Sequence, residues 1–253
     1  MTLTDRAAAL RALHRPGDPL ILPNAWDPGS AKAVARAGFP AVATSSGAVA
    51  ESLGHADGEA TPVDAMLDAV ARIVAAVDVP VTADIERGYG LGPAELAERL
   101  LATGAVGCNI EDSDPRTGAL VDPAEQVALL AALRSAAGAG LVVNARVDVF
   151  LHATADHGEL LDAAVDRARR YLAAGADCVY PIVLGDPTLI GRFVEAVDAP
   201  VNVLARRDVP GPAELAGLGV ARISYGSGVY AAARARAARM LTAVRDGRDP
   251  FTA

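Results

Sequence analysis

A chain of 253 residues, 52% hydrophobic and 21% charged, carries enough apolar surface for one large core and shows no sign of disorder or collagen-like repeats. Its formal net charge of −8 comes with no clustered basic face, which excludes nucleic acid as a partner, because phosphate binding needs concentrated positive charge. No apolar signal core opens the sequence and no stretch is long enough to span a bilayer, so a cytoplasmic protein without a membrane partner is expected.

Short β-branched runs recur along the chain, each followed by a polar residue and an Ala-rich helical segment. The first strand, Leu20 to Pro23, ends in Asn24-Ala-Trp-Asp27, and Pro28 opens a helix that stops at Gly38. The second, Ala41 to Ala43, ends in Thr44-Ser-Ser-Gly47 and leads through a long loop to a helix opened by Thr61-Pro62. Val79 to Asp84 is the third, with its helix from Pro93; Gly107 to Glu111 is the fourth, with its helix from Pro123. Leu141 to Arg146, Cys178 to Pro181, Val201 to Val203 and Ala221 to Ser224 are strands five to eight. Their helices run near Glu159 to Ala173, Pro187 to Val197, Pro212 to Leu215 and Val229 to Arg245.

Gly38, Gly104, Gly175 and Gly219 each stand between a helix and the next strand, where a left-handed residue ends the helix. Eight consecutive βα units predict a closed (β/α)8 TIM-type barrel formed by residues 1–253 as a single domain, with its active site at the C-terminal strand ends. An open doubly wound sheet would require a phosphate-binding glycine turn after the first strand, and Asn24-Ala-Trp-Asp27 is not one.

Residue usage narrows the chemistry. Lys32 is the single lysine among 23 basic residues and sits in a helical pattern, which argues against Schiff-base mechanisms. Cys108 and Cys178 lie in apolar runs and read as free buried thiols in a reducing compartment. His14, His55, His152 and His157 fall in loops or beside helices and are assigned no catalytic role.

A barrel gathers Asn24, Trp26, Thr44 to Gly47, Asp84, Glu86, Glu111, Asp112, Asn144, Arg146, Asn202 and Ser224 at one mouth. Carboxylates packed there repel one another unless a cation lies between them, and an all-oxygen set suits Mg²⁺ or Mn²⁺, with Asp84, Glu86 and Glu111 as ligands. The plain alternative for Asp84 and Glu86 is a strand end whose acids favour the following helix dipole. Ser45, Ser46 and Gly47 could cradle a carboxylate with hydroxyl and N–H donors, or form an ordinary turn. Arg146 could bind a substrate carboxylate or balance the acids as an ion pair. Gly88-Tyr-Gly-Leu-Gly92 has the wrong spacing for a dinucleotide fingerprint and reads as a flexible loop.

The ordered motifs Asn24-Ala-Trp-Asp27, Thr44-Ser-Ser-Gly47, Gly54-His-Ala-Asp57, Ala83-Asp-Ile-Glu-Arg-Gly-Tyr-Gly90, Asn109-Ile-Glu-Asp112 and Asn144-Ala-Arg-Val-Asp148 resemble the isocitrate lyase and phosphoenolpyruvate mutase superfamily over nearly the whole chain. The resemblance implies a Mg²⁺-dependent enzyme that makes or breaks a C–C or P–C bond beside a 2-oxo acid, through a pyruvate-like enolate. It implies that Ser46, Gly47 and Ala48 hold the substrate carboxylate and that Asp57 joins Asp84, Glu86 and Glu111 around the metal. Arg146 would take the oxo-acid end, with Trp26, Ser45 and Asn202 as further substrate contacts. A homo-oligomer, dimer or tetramer, is implied through exchange of the last helix.

Two departures shape the expected activity. The family commonly has Asp-x-Asp where this chain has Asp84-Ile-Glu86, which shifts the metal geometry. Its lyases carry a cysteine proton donor in the loop after strand four, whereas residues 111–122 here hold no cysteine, lysine or histidine, so isocitrate or methylisocitrate cleavage is not expected. The expected activity is that of a Mg²⁺-dependent lyase, decarboxylase or hydrolase acting on a small 2-oxo or 2-hydroxy diacid. A phosphonomutase and a non-catalytic 2-oxo-acid-binding protein are the alternatives. Ser113 to Asp122 is expected to be a mobile lid whose single cation, Arg116, reaches the bound anion on closure.

Overall fold

The computed structural model describes residues 2–151 and 153–252; His152 lies outside the described residues. Its strands are β1 (Leu20–Leu22), β2 (Asn24–Ala25), β3 (Val42–Thr44), β4 (Val81–Asp84), β5 (Gly107–Ile110), β6 (Val142–Val147), β7 (Cys178–Pro181), β8 (Asn202–Leu204) and β9 (Arg222–Ser224), every pairing parallel. Hydrogen-bonded order runs β2-β3-β4-β5-β6-β7 in one sheet and β1-β9-β8 in the other. β1 and β2 are one barrel strand interrupted at Pro23, which has no N–H to give the ladder. The other junction is made where the Val179 N–H donates to the Pro200 carbonyl at 3.1 Å, beside a parallel bridge from Val179 to Val201. Eight strand positions thus surround a common interior, the expected (β/α)8 barrel.

The helices are α1 (Leu3–Ala12), α2 (Pro28–Arg36), α3 (Ser46–Ser52), α4 (Val63–Val74), α5 (Pro93–Ala102), α6 (Pro123–Ala137), α7 (His157–Ala173), α8 (Pro187–Val197), α9 (Pro212–Gly217) and α10 (Gly228–Arg245). Proline starts α2, α5, α6, α8 and α9, where its fixed φ suits the first turn and its missing N–H costs nothing. Asp27, Asp122, Asp156 and Asp186 cap α2, α6, α7 and α8 by accepting first-turn N–H groups. The four glycines read as helix stops all have positive φ. No described helix is long and apolar enough to cross a membrane.

Two helices depart from the sequence reading. α3 forms within the expected loop after β3, capped by the Ser45 hydroxyl. α1 lacks the apolar period that would reveal it, and it earns its place by closing the barrel floor. Leu10 is fully buried there with Leu20, Leu22, Ala43, Val106 and Val142. A Cβ at Gly107 would lie 2.9 Å from Leu10 and 2.8 Å from the Thr82 hydroxyl, so only glycine admits this plug.

Above the floor, strand alternation sends Cys108, Ile110, Val143, Ala145, Val179, Val203 and Ile223 outward into the main apolar cluster. Cys108 and Cys178 are free and buried, as expected. In the register, Asp84 faces Asn109, Asn109 faces Asn144 and Asn144 faces Cys178, a row that carries polar side chains into the barrel below the mouth.

Candidate active site

A cavity of about 170 Å³ opens at the C-terminal strand ends. Its walls are Asn24, Ser45, Ser46, Gly47, Asp57, Asp84, Asn109, Arg146, Tyr180, Ile182, Leu204, Ser224, Gly226 and Ser227, contributed from strand ends all round the barrel.

Asp84, the last residue of β4, is held from three sides. Its Oδ2 accepts from the Ser46 N–H at 3.1 Å and from the Ser46 hydroxyl at 3.0 Å, and its Oδ1 accepts from the Asn109 amide at 3.2 Å. Both Ser46 donors expected for a substrate carboxylate are therefore directed at Asp84. Ser45 caps α3 and shares a 2.8 Å hydroxyl contact with Ser227. Asp57 lies against Gly47, where an added Cβ would come within 2.9 Å of its carboxylate, so the glycine admits the 54–60 loop to the cavity wall. Burial, then repulsion from Asp84, raises the Asp57 pKa above the usual carboxylate value.

Glu86 and Glu111 do not line the cavity. Glu86 is buried; it accepts from the Tyr89 hydroxyl at 2.6 Å and from the Glu59 N–H at 2.7 Å. Burial, followed by the charges of Asp57 and Asp84, pushes its pKa up to about 7 in spite of the Tyr89 hydrogen bond. Glu59 returns the clasp by accepting the N–H groups of Arg87 and Tyr89 at 3.1 and 2.7 Å. The glycine-rich segment read as a flexible loop is thus fastened, with Glu59, Glu86 and Tyr89 all in the left-handed region. Such backbone strain concentrates where a structure positions functional groups.

Arg146 lines the cavity and is engaged in ion pairs. Its Nε and Nη2 form a fork to Asp148 at 2.6 and 2.9 Å, and its Nη1 pairs with Glu111. Asp148, fully buried, is itself fixed where its N–H donates to Asp112 at 2.8 Å. Asp112 is a scaffold acid, with Tyr171 and Arg167 donating to its other oxygen at 2.7 and 3.0 Å. Burial drives the Glu111 pKa well above the usual range despite the Arg146 charge, with Asp84 adding to the rise.

Four further sequence candidates do not line the cavity. Trp26 packs edge-on against Tyr230 of α10, with ring centroids 5.1 Å apart. Asn202 is buried within the barrel and donates to the Ser224 hydroxyl at 3.2 Å. Arg116 is 85% exposed and pairs with Asp114 at 2.9 Å. Its segment is a small hairpin, bridged between Ser113 and Leu120 and closed by the Val121 N–H on the Asp112 carbonyl at 2.9 Å. Ala48 is buried in the first turn of α3, its N–H directed at the Ser45 hydroxyl at 3.5 Å.

The sequence reading missed Asn109, Tyr180 and Ser227 as wall residues and Arg222 beneath them. For Asn109 and Arg222 the signal was present in the strand alternation, because each lies two positions from a residue placed at the mouth or plug.

Among the described residues, no three His, Cys, Asp or Glu side chains converge on one point as a formed metal site. The donor chemistry nevertheless suits a hard divalent cation: Asp57, Asp84, Glu86 and Glu111 offer only oxygen, and three of them resist ionisation in their present surroundings. A cation among them would relieve that repulsion.

A model of the family described as phosphoenolpyruvate phosphomutase matches residues 10–245. The chain is 39% identical over 238 residues to an uncharacterized protein of Mycobacterium tuberculosis (strain ATCC 25618 / H37Rv), covering 93% of this chain and 88% of that one. A putative phosphonomutase from Burkholderia cenocepacia J2315 superposes with a TM-score of 0.90 at 46% identity, over 94% of this chain and 99% of that one. A phosphonopyruvate hydrolase solved with oxalate and Mg²⁺ superposes with a TM-score of 0.82 at 26% identity, over 96% and 88%. By its barrel, its strand-end acids and these matches, the chain belongs to the phosphoenolpyruvate phosphomutase family of the isocitrate lyase/phosphoenolpyruvate mutase superfamily.

Proposed function

We propose that the protein is a Mg²⁺-dependent lyase, decarboxylase or hydrolase of a small 2-oxo or 2-hydroxy diacid, working through a pyruvate-like enolate. The observation that carries this reading is the charge balance of the cavity. Acids crowd its wall and its surroundings, while its one lining guanidinium, Arg146, is shared between Glu111 and Asp148. A site so short of free positive charge suits a compact substrate whose oxyanion is met by a metal, and the oxalate and Mg²⁺ of the hydrolase relative support the same assignment.

Asp84 and Asp57, with Glu86 and Glu111 behind the wall, would hold Mg²⁺ or Mn²⁺. When bound, the cation would polarise the 2-oxo group and stabilise negative charge on its oxygen. The chain's own residues do the rest. Gly47, in the first turn of α3 and on the cavity wall, would offer its N–H to the substrate carboxylate, while the Ala48 N–H is taken by the Ser45 cap. Asn109 and Ser46 keep Asp84 aimed at the cavity. Ile182 and Leu204 form an apolar wall against the substrate's carbon skeleton and limit its size. The exposed Val229, Leu241 and Val244 of α10 support the homo-oligomer implied by the family resemblance.

A phosphonomutase is the second reading, favoured by the 46% identical neighbour. Turnover of oxaloacetate, a set of 2-alkylmalates and phosphonopyruvate, each with and without Mg²⁺, separates the readings. Mg²⁺-dependent release of a 2-oxo acid from a malate, or of oxalate from oxaloacetate, supports the first. Conversion of phosphonopyruvate to an enol phosphate supports the second. Oxalate binding without turnover of any compound points to a binding protein and overturns both.

A further inference from the structure

Directly beneath the cavity, β9 places an arginine where a barrel interior ordinarily holds an aliphatic side chain. Arg222 is 1% exposed and is the largest fully buried side chain among the described residues. Among the described residues no carboxylate forms a salt bridge with it, and its Nε and Nη1 have no hydrogen-bond partner. Burying a guanidinium in this manner is costly, and an apolar residue of similar volume would stabilise the fold. A local rule broken at such expense marks a position serving something other than stability.

The one side-chain hydrogen bond that Arg222 makes among the described residues shows what that is. Its Nη2 donates to the Asn109 Oδ1 at 3.2 Å, and the Asn144 amide donates to the same oxygen at 2.8 Å. Two donors on the oxygen settle the flip of the Asn109 amide and leave its nitrogen facing upward, where it donates to the Asp84 Oδ1 at 3.2 Å. The register supports the relay, since Asp84, Asn109 and Asn144 are successive partners across β4, β5 and β6.

The groups around the guanidinium do not compete for its charge. His14, whose Nδ1 contacts the Leu10 carbonyl at 2.9 Å, is held neutral at neutral pH, its pKa lowered to about 4 by burial and by Arg222. Burial pushes the Cys108 and Cys178 thiols up to about 12, so both are protonated. Tyr180 is likewise pushed up to about 12, and Asp84 is a carboxylate whose charge acts on Arg222.

We infer that Arg222 is a positioning residue for Asp84: by fixing the Asn109 amide from below, it sets the orientation in which Asp84 presents its carboxylate to the cavity. The metal arm of this inference rests on the reading of Asp84 as a Mg²⁺ ligand, whereas the positioning arm does not.

Arg222→Met separates positioning from packing because the two roles move stability and affinity differently. Positioning predicts a melting temperature equal to or above that of the parent, together with Mg²⁺ affinity, read by titration calorimetry, weakened roughly tenfold or more, the range seen when the groups that orient metal ligands are removed. Arg222→Met combined with Asn109→Leu should bind Mg²⁺ no more weakly than Asn109→Leu alone, since both changes cut one relay. A lower melting temperature with unchanged Mg²⁺ affinity would overturn the inference. Arg222→Lys, which keeps the charge and loses the Nη2 donor, carries the same measurements if the methionine variant does not fold. If the parent protein binds no Mg²⁺, the metal reading fails while the positioning claim is still decided by NMR of the Asn109 side-chain amide. Its proton signals should shift and exchange faster in Arg222→Met or Arg222→Lys, and identical signals in parent and variant would refute the relay.

Discussion

The two ends of the barrel solve opposite problems. At the floor, Leu10 of α1 fills a space that Gly107 leaves for it, among mostly aliphatic, buried side chains. At the mouth, Glu59, Glu86 and Tyr89 take left-handed backbone conformations and several acids are held where burial opposes their ionisation. One end stores stability and the other spends part of it on a poised cluster of oxygen ligands. The lesson is that parallel strands can keep the two tasks apart within one fold, because each strand begins in the plug and finishes in the site.

The sharpest way to break this comparison is Asp84→Ala. Mg²⁺-dependent turnover and Mg²⁺ binding should fall to background while the melting temperature stays near that of the parent, since the replaced group contributes to the site and not to the floor. Retained Mg²⁺ affinity in that variant would remove Asp84 from the ligand set. The opposite profile is expected of Leu10→Ala, which should cost about 3 kcal/mol of stability through the cavity it leaves. Its kcat/KM, measured well below the melting transition, should match the parent value; a large loss would show that the floor and the mouth are mechanically coupled.

Proton linkage gives a smaller, continuous probe of the mouth. Glu86 titrates near 7 in the fold against an ordinary value of 4.5, so between these limits the native state holds a proton that the unfolded chain has released. Without metal, stability contributed at this site is present below about 4.5 and declines as pH rises toward 7. Mg²⁺ must displace the retained protons, so its affinity should climb with pH through about 7, where Glu86 loses its own. Calorimetry in buffers of different ionisation enthalpy should detect proton release near pH 6.5, and none would mean that Glu86 does not respond to the metal.

The smallest effect is expected at Arg116. Folded onto Asp114 at the tip of a hydrogen-bonded hairpin, it should change kcat or KM less than about threefold when replaced by alanine, in line with the small worth of an exposed pair. A loss of 100-fold or more on phosphonopyruvate would show that the hairpin closes over the substrate and would favour the phosphonomutase reading.

Strand ends, proline helix starts and glycine helix stops were legible because each depends on a few neighbouring residues. Asp84 could be placed at a mouth for the same reason, since a polar residue closing a β-branched run is a local pattern. The partners of these groups were not legible. That Arg146 is divided between Glu111 and Asp148, or that both Ser46 donors turn to Asp84, depends on side chains brought together from separate strands.

What the sequence determined by itself is the repeating βα rhythm, and with it the barrel and the acidic mouth, because alternation, capping and chain-stop preferences act over a few residues. Tertiary structure alone decided that α1 plugs the floor and that Arg222 lies buried under Asn109. It also decided that Trp26 and Asn202 stand back from the cavity. The physical reason is closure: only when eight strands share one register around one axis do inward side chains from distant segments meet, and the contacts they make there are set by that geometry.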